Sequence, residues 1–245
     1  MIRKVLQPFY TAYIICIFVA TLFTVLPFYL LLSIPRNKWG RRWMWRLSKA
    51  WARVWLWLAA MPVRCIGKAP QGRFVVVANH VSYLDPIVIF DVLPWQFRPL
   101  GKKEIAKAPV FGFIYAQMAL LVDRSSTHSR AKSMRLMWRV LRHECSIFIY
   151  PEGTFNESEE PMGPFFDGAF RLALNTGTPI LPVIFPDTKA RWHYSHWWKL
   201  WPGRNRGIYL EPIPVAGLSM ADLPELKEQV RAIMGAAMLQ YAGKN

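Results

Sequence analysis

Residues 73–86 read Arg73-Phe74-Val75-Val76-Val77-Ala78-Asn79-His80-Val81-Ser82-Tyr83-Leu84-Asp85-Pro86. The first six form a short, valine-rich apolar run, the pattern of a strand buried on both faces. The run passes without a linker into an imidazole and, a little further on, a carboxylate. An ionisable pair just past the C-terminal end of a buried strand stands where open α/β sheets place their sites. In one continuous helix a five-residue offset turns about 140°, so His80 and Asp85 would not share a face. They meet only if His80 stays in the loop or first turn and points back over the helix start.

Working outward, further apolar runs at residues 116–122, 145–150, 180–185 and 206–213 read as strands. Between and after them, residues 126–142, 166–176 and 223–240 read as helices, with Gly177 placed as a C-terminal stop for the second. The alternation predicts an α/β fold, a mixed, mostly parallel sheet flanked by helices, occupying residues 63–245.

Residues 1–62 are of another kind. From Val5 through Pro35 no residue is charged, and the run exceeds the roughly 20 residues that span a bilayer. It reads as a membrane-inserted helix, too long for a cleavable signal, with Pro27 placed to kink it or make it re-entrant. Arg3 and Lys4 precede it, whereas Arg36, Lys38, Arg41 and Arg42 follow, which places the body of the protein on the cytoplasmic side of the membrane. In the next segment Lys38, Arg41, Arg42, Arg46, Lys49 and Arg53 fall within an arc of roughly 140°, and Trp43, Met44, Leu47, Trp51, Val54, Trp55 and Leu58 fill the rest of the wheel. This is a basic amphipathic helix, expected to lie in the interface with its cations toward anionic headgroups, to pack on its own domain, or to do both.

Composition narrows the partners. The chain has 31 Lys and Arg against 15 Asp and Glu, a net charge of +16, which calls for a polyanion. Twelve tryptophans and 53% hydrophobic residues fit anionic membrane lipids rather than nucleic acid. Cys16, Cys65 and Cys145 lack any CxxC spacing, which points to a reducing compartment and no metal site. His193 and His196 have no Cys, Asp or Glu neighbour that would complete a metal set.

The pair near residue 80 suits acyl transfer to a lipid hydroxyl. Such a hydroxyl is a poor nucleophile, and a histidine titrates in the range needed to take its proton. A carboxylate on the other ring nitrogen sets the tautomer and stabilises the imidazolium. Nothing resembling G-x-S-x-G occurs, so direct attack by the acceptor is simpler than a serine acyl-enzyme.

The blocks around this pair resemble the glycerolipid acyltransferase family typified by 1-acylglycerol-3-phosphate acyltransferases. Asn79 to Asp85 matches that family's N-H-x-S-x-x-D. Lys103-Glu104-Ile105 and Pro109-Val110-Phe111-Gly112 look like its K-E-L and P-x-x-G segments. Val122-Asp123-Arg124 looks like the end of its second block, Tyr150 to Thr154 matches F-P-E-G-T, and Ile180 to Val183 looks like its apolar-Pro-Val block. The resemblance implies a catalytic dyad of His80 and Asp85. It also implies substrate binding by Asn79, Ser82, Lys103, Arg124, Glu152, Gly153 and Thr154, with acyl carrier protein or coenzyme A thioester as donor and no further cofactor.

Two departures stand out. The family usually has Arg or a small polar residue after E-G-T, where this chain has Phe155; the glycine usual in the second block is replaced around Met118-Ala119. Loss of a phosphate cation leaves open another lysolipid acceptor, an ornithine or glycine lipid or another lysophospholipid, beside 1-acylglycerol-3-phosphate. A non-catalytic membrane-binding protein would need only the basic helix and gives no reason for the ordered blocks. Trp192 to Trp201 reads as a second interfacial contact, lining an acyl entrance, or as core aromatics under a loop.

Overall fold

The computed structural model describes residues 2–122 and 127–243. Two helices lead: α1 (Ile2–Ser33), continuous through Pro8 and Pro27, and α2 (Lys38–Leu58). There follow β1 (Val63–Ile66), β2 (Val75–Ala78), α3 (Asp85–Val92), β3 (Phe97–Lys102), a 3-10 turn (Lys103–Lys107), α4 (Phe111–Met118) and β4 (Leu120–Val122). The chain continues with α5 (Thr127–His143), β5 (Ser146–Ile149), α6 (Gly168–Thr176), β6 (Ile180–Ile184), α7 (Thr188–Arg191), β7 (Asn205–Tyr209) and α8 (Leu223–Tyr241).

The strands form one sheet in the order β1-β7-β6-β2-β5-β3-β4, parallel throughout except where β7 runs against β6. Every residue of β2 is buried, and its side chains alternate: Val76 and Ala78 join one core with α1 to α4, and Val75 and Val77 join the other with α5, α6 and α8. A strand covered on both faces has no side on which polar residues would be favoured, which is why it reads as a plain apolar run. Gly177 ends α6 in the left-handed conformation at φ +63°, as its position predicts.

One expectation is corrected and two strands are added. Residues 116–122 are not one strand: α4 runs through Met118 and only Leu120–Val122 pair with β3. A short apolar run has no period that separates a buried helix from a buried strand. β3 was missed because Pro99 and Gly101 read as breakers, and β1 because a four-residue edge strand carries too short a pattern.

The α2 helix packs on its own domain, one of the arrangements its sequence allows. Its packed side carries Met44, Trp45, Ala52, Trp55 and Leu56, but several of its cations also turn inward. Arg41 binds Glu144 through two nitrogens at 3.1 Å each, and Lys49 donates to the carbonyls of Phe90, Asp91 and Leu93 at 3.1, 2.9 and 2.8 Å. Lys49 thereby caps the C-terminal end of α3, where a cation meets unpaired carbonyls and the negative end of the helix dipole. The outer edge of α2 presents Trp39, Trp43, Val54 and Trp57.

Candidate active site

β2 lies between β5 and β6, so the loops that leave the C-terminal ends of these three parallel strands converge. His80 sits in the loop, two residues after β2 ends, and Asp85 is the first residue of α3. The loop brings His80 back over the helix start, so that its Nδ1 lies 3.0 Å from Asp85 Oδ2. The same oxygen accepts the backbone N–H groups of Val81 and Ser82, both at 2.8 Å. Asp85 has no solvent exposure; these donors, with its place in the first turn of α3, compensate Oδ2 for the water it loses, whereas Oδ1 has no hydrogen-bond partner among the described residues. His80 Nε2 makes no hydrogen bond among the described residues, and the side chain keeps 16% exposure, enough for an incoming hydroxyl to reach that nitrogen.

Asn79 and Ser82, expected to bind substrate, have zero exposure and brace the loops around His80. Asn79 donates through Nδ2 to the Phe185 carbonyl at 3.2 Å and accepts the Phe185 N–H at 2.7 Å, joining the ends of β2 and β6. Ser82 Oγ donates to the Trp192 carbonyl at 2.6 Å and accepts the Leu84 N–H at 3.0 Å. The polar side-chain atoms of both are bonded to backbone groups.

Glu152 also turns inward. Its Oε1 accepts the His80 N–H at 3.3 Å, and the Asn156 N–H donates to the His80 carbonyl at 2.8 Å, so the loop after β5 is laced to the His80 loop. Burial raises the Glu152 pKa to about 7, the amides of His80 and Gly163 pull against this, and the charge of Asp85 adds to it. Gly153 takes φ +70° in this turn, a conformation open to glycine at little strain. Thr154 is exposed beside it, with its hydroxyl available to a headgroup. Lys103 opens the 3-10 turn after β3, exposed at the same edge of the sheet as His80. Arg124 lies outside the described residues.

The sequence reading missed the aromatic enclosure. The Tyr150 ring stacks on the His80 imidazole at 3.9 Å and 11°, and Phe155 packs on it at 4.3 Å. Phe155 in turn meets Tyr83 at 5.0 Å and Tyr194 at 5.6 Å, and Tyr83 meets Trp192 at 5.5 Å. The segment after β6 is pinned here by an antiparallel bridge between Ser82 and His193. Burial holds the Tyr150 hydroxyl well above the usual phenol range, so the ring that backs His80 stays neutral. The usable signal was Phe155 itself, an aromatic where the resemblance leads one to expect a cation or a small polar residue.

Comparison with known proteins bears on this arrangement. The acyltransferase family model matches residues 62–186, which include β1 through β6 and both halves of the dyad. The alpha form of 1-acyl-sn-glycerol-3-phosphate acyltransferase from Bos taurus is 30% identical over 167 residues, 67% of this chain and 58% of the relative. The beta form from Homo sapiens is 32% identical over 176 residues, 69% of this chain and 60% of the relative. The chain thus spans somewhat under two thirds of the length of these curated relatives. In fold it is similar to the crystal structure of the 1-acyl-sn-glycerophosphate acyltransferase from Thermotoga maritima, with a TM-score of 0.81, 22% identity and 97% of each chain covered.

Proposed function

The chain belongs to the acyltransferase family, and from that premise we propose that it is a membrane-bound O-acyltransferase that moves a fatty acyl group from an acyl carrier protein or coenzyme A thioester to the hydroxyl of 1-acylglycerol-3-phosphate in phospholipid synthesis. The observation that carries this reading is the 3.0 Å contact between His80 Nδ1 and Asp85 Oδ2, with Nε2 left to act. In the proposed step Nε2 takes the hydroxyl proton as the oxygen attacks the thioester carbonyl. The C–S bond then breaks, the thiol leaves with the proton returned by the imidazolium, and a C–O ester bond remains. Asp85 holds the ring in the tautomer that places its proton on Nδ1 and stabilises the imidazolium. Thr154, Gly153 and Lys103, at the exposed edge of the same sheet end, are the described candidates for contact with the headgroup, and Arg124 is a further one from the sequence.

The membrane reading is supported by α1, which is long and apolar enough to cross a bilayer and has only 17% of its most apolar window buried in the protein. A core helix would be covered. The excess of cations after this helix supports a catalytic domain on the cytoplasmic face.

One observation favours a second reading. Phe155 places an aromatic ring against the catalytic imidazole where a phosphate-binding cation would be expected, which suits a lysolipid acceptor without a terminal phosphomonoester, such as an amino-acid lipid.

The test is acyl transfer by purified protein and by His80→Ala across a panel of donors and lysolipid acceptors. The variant is expected to keep its membrane binding and lose about 10²–10⁴-fold in rate. Activity within about tenfold of the unaltered protein would remove His80 from the role of base.

A further inference from the structure

The turn that joins α1 to α2 borders a cavity of about 220 Å³ at the opposite end of the sheet from His80. Leu32 and Met44 give it an apolar side; Arg36, Arg41, Arg98 and Gln117 give it a side made of hydrogen-bond donors. Arg98 belongs to the start of β3 and stands in register with Ile147 and, through it, with Val75. That places it on the order of 15 Å along the strands from His80.

The cations here are incompletely matched. Arg98 donates from Nε to the Met118 carbonyl at 3.3 Å and from Nη2 to the Ala119 carbonyl at 3.2 Å, and among the described residues no carboxylate bonds it. Its Nη1 makes no hydrogen bond among them. Arg41 is bound to Glu144, which does not line the cavity, and its Nη1 donates to the Arg36 carbonyl at 3.4 Å. The guanidinium of Arg36 and the amide of Gln117 have no hydrogen bond among the described residues. Burial, the largest cause, pushes the Arg98 pKa down; Cys145 and Glu144 pull against this, and Arg41 adds to it.

A donor-lined cavity without a carboxylate in its lining suits an anion with planar or tetrahedral oxygens, which a guanidinium binds through two N–H groups. Its position narrows the source. Leu32, Ser33 and Arg36 place the cavity where α1 ends, and their chain neighbours Leu31 and Ile34 are exposed and apolar. A lipid whose chains lie along α1 brings its phosphate to this depth. We propose that this cavity binds the phosphate of an anionic phospholipid at a site separate from the one at His80, and so fixes the depth and tilt at which the catalytic edge meets the bilayer.

The experiment is flotation of the full chain with phosphatidylcholine vesicles, with and without phosphatidylglycerol, whose phosphodiester is not a product of the proposed reaction. The gain in partitioning from phosphatidylglycerol should fall by more than about tenfold in Gln117→Glu, which sets a carboxylate in the cavity and leaves the Arg98 carbonyl bonds intact. Arg98→Gln should behave alike. Ala50→Glu, which puts the same charge on the exposed side of α2, should lose less than about fivefold, the effect of one unit charge near an anionic surface. Equal losses in Gln117→Glu and Ala50→Glu would overturn the site. If inorganic phosphate raises the melting temperature of the unaltered protein but not of Gln117→Glu, and phosphatidylglycerol adds nothing to either, the ligand is free phosphate and the lipid assignment falls. His80→Ala should show the full phosphatidylglycerol gain, so this outcome is independent of the acyltransfer reading.

Discussion

The ring of Phe155 lies 4.3 Å, centroid to centroid, from the imidazole of His80, which the Tyr150 ring flanks at 3.9 Å. A residue that in the sequence reads as the loss of a phosphate cation is therefore part of the wall that holds the candidate base. Aromatic contacts of this kind add roughly 0.5–1.5 kcal/mol beyond their buried area, and they limit rotation of the imidazole. With Nδ1 held by Asp85 and the ring flanked by aromatics, Nε2 keeps one direction.

Phe155→Leu keeps an apolar side chain but removes the ring contact. It is expected to lower kcat by about tenfold through looser positioning, with KM for the acceptor little changed. Phe155→Arg should lower kcat similarly and also lower KM for phosphate-headed lysolipids, since a guanidinium then stands beside the site. Steady-state rates with phosphate-headed and amino-acid lysolipids separate the two effects. An unchanged kcat in both variants would mean that the ring does not position the base.

Asp85→Asn tests the partner of the base. Asp85 Oδ2 accepts three N–H groups at 2.8–3.0 Å. An amide oxygen still accepts some of them, but the uncharged residue no longer selects the Nδ1–H tautomer or stabilises the imidazolium. The rate is expected to fall about 10³-fold or more, with loss of about 1–3 kcal/mol of stability. Thermal unfolding beside the acyl-transfer assay tells a catalytic loss from a folding one.

Glu152 predicts a pH dependence of stability. Its folded pKa of about 7 stands above the ordinary carboxyl value of 4.5, so the folded protein holds this proton more tightly than the unfolded chain does. The stabilisation is fully present below about pH 4.5 and is lost as pH rises through about 7, with an upper size of about 3 kcal/mol. Glu152→Gln keeps an acceptor for the His80 N–H and removes the titration. Its melting temperature should fall less between these pH values than that of the unaltered protein; parallel curves would refute the assignment.

Lys49→Met tests the cap that α2 places on α3. Removing three donor contacts to the carbonyls of Phe90, Asp91 and Leu93 should cost about 1–2 kcal/mol. Differential scanning calorimetry should record this as a drop of about 2–8 °C. Because α3 carries Asp85 at its other end, a loss of activity larger than the loss of folded protein would show that the cap also positions the dyad.

Much of the frame is legible along the chain. The apolar run into His80, the order of blocks through Ile180, the 31-residue apolar helix and the stop at Gly177 all depend on local periodicity, and the structure bears out the strands and helices they mark, with bounds shifted by a few residues. α4 and β3 resisted because a buried helix, a buried strand and a strand with Pro99 and Gly101 have no local pattern that sets them apart. The backbone bonds of Asn79, Ser82 and Glu152 were not legible for another reason: a motif gives residue types and spacing, and does not say which backbone group a polar atom meets.

The amino-acid order alone determined that an imidazole and a carboxylate would stand just past a buried strand, in a chain with a long apolar helix, because those features need only neighbours in the chain. Tertiary structure decided that the two would touch, since a turn of the loop set against a five-residue offset brings Nδ1 to Oδ2. It also decided that Phe155 and Tyr150 would flank the ring, and that Arg98 would lie beside Arg36 and Arg41. Those contacts join residues tens of positions apart, and only the packing of β5 and β6 against β2, and of α1 and α2 against the sheet, brings their side chains within reach.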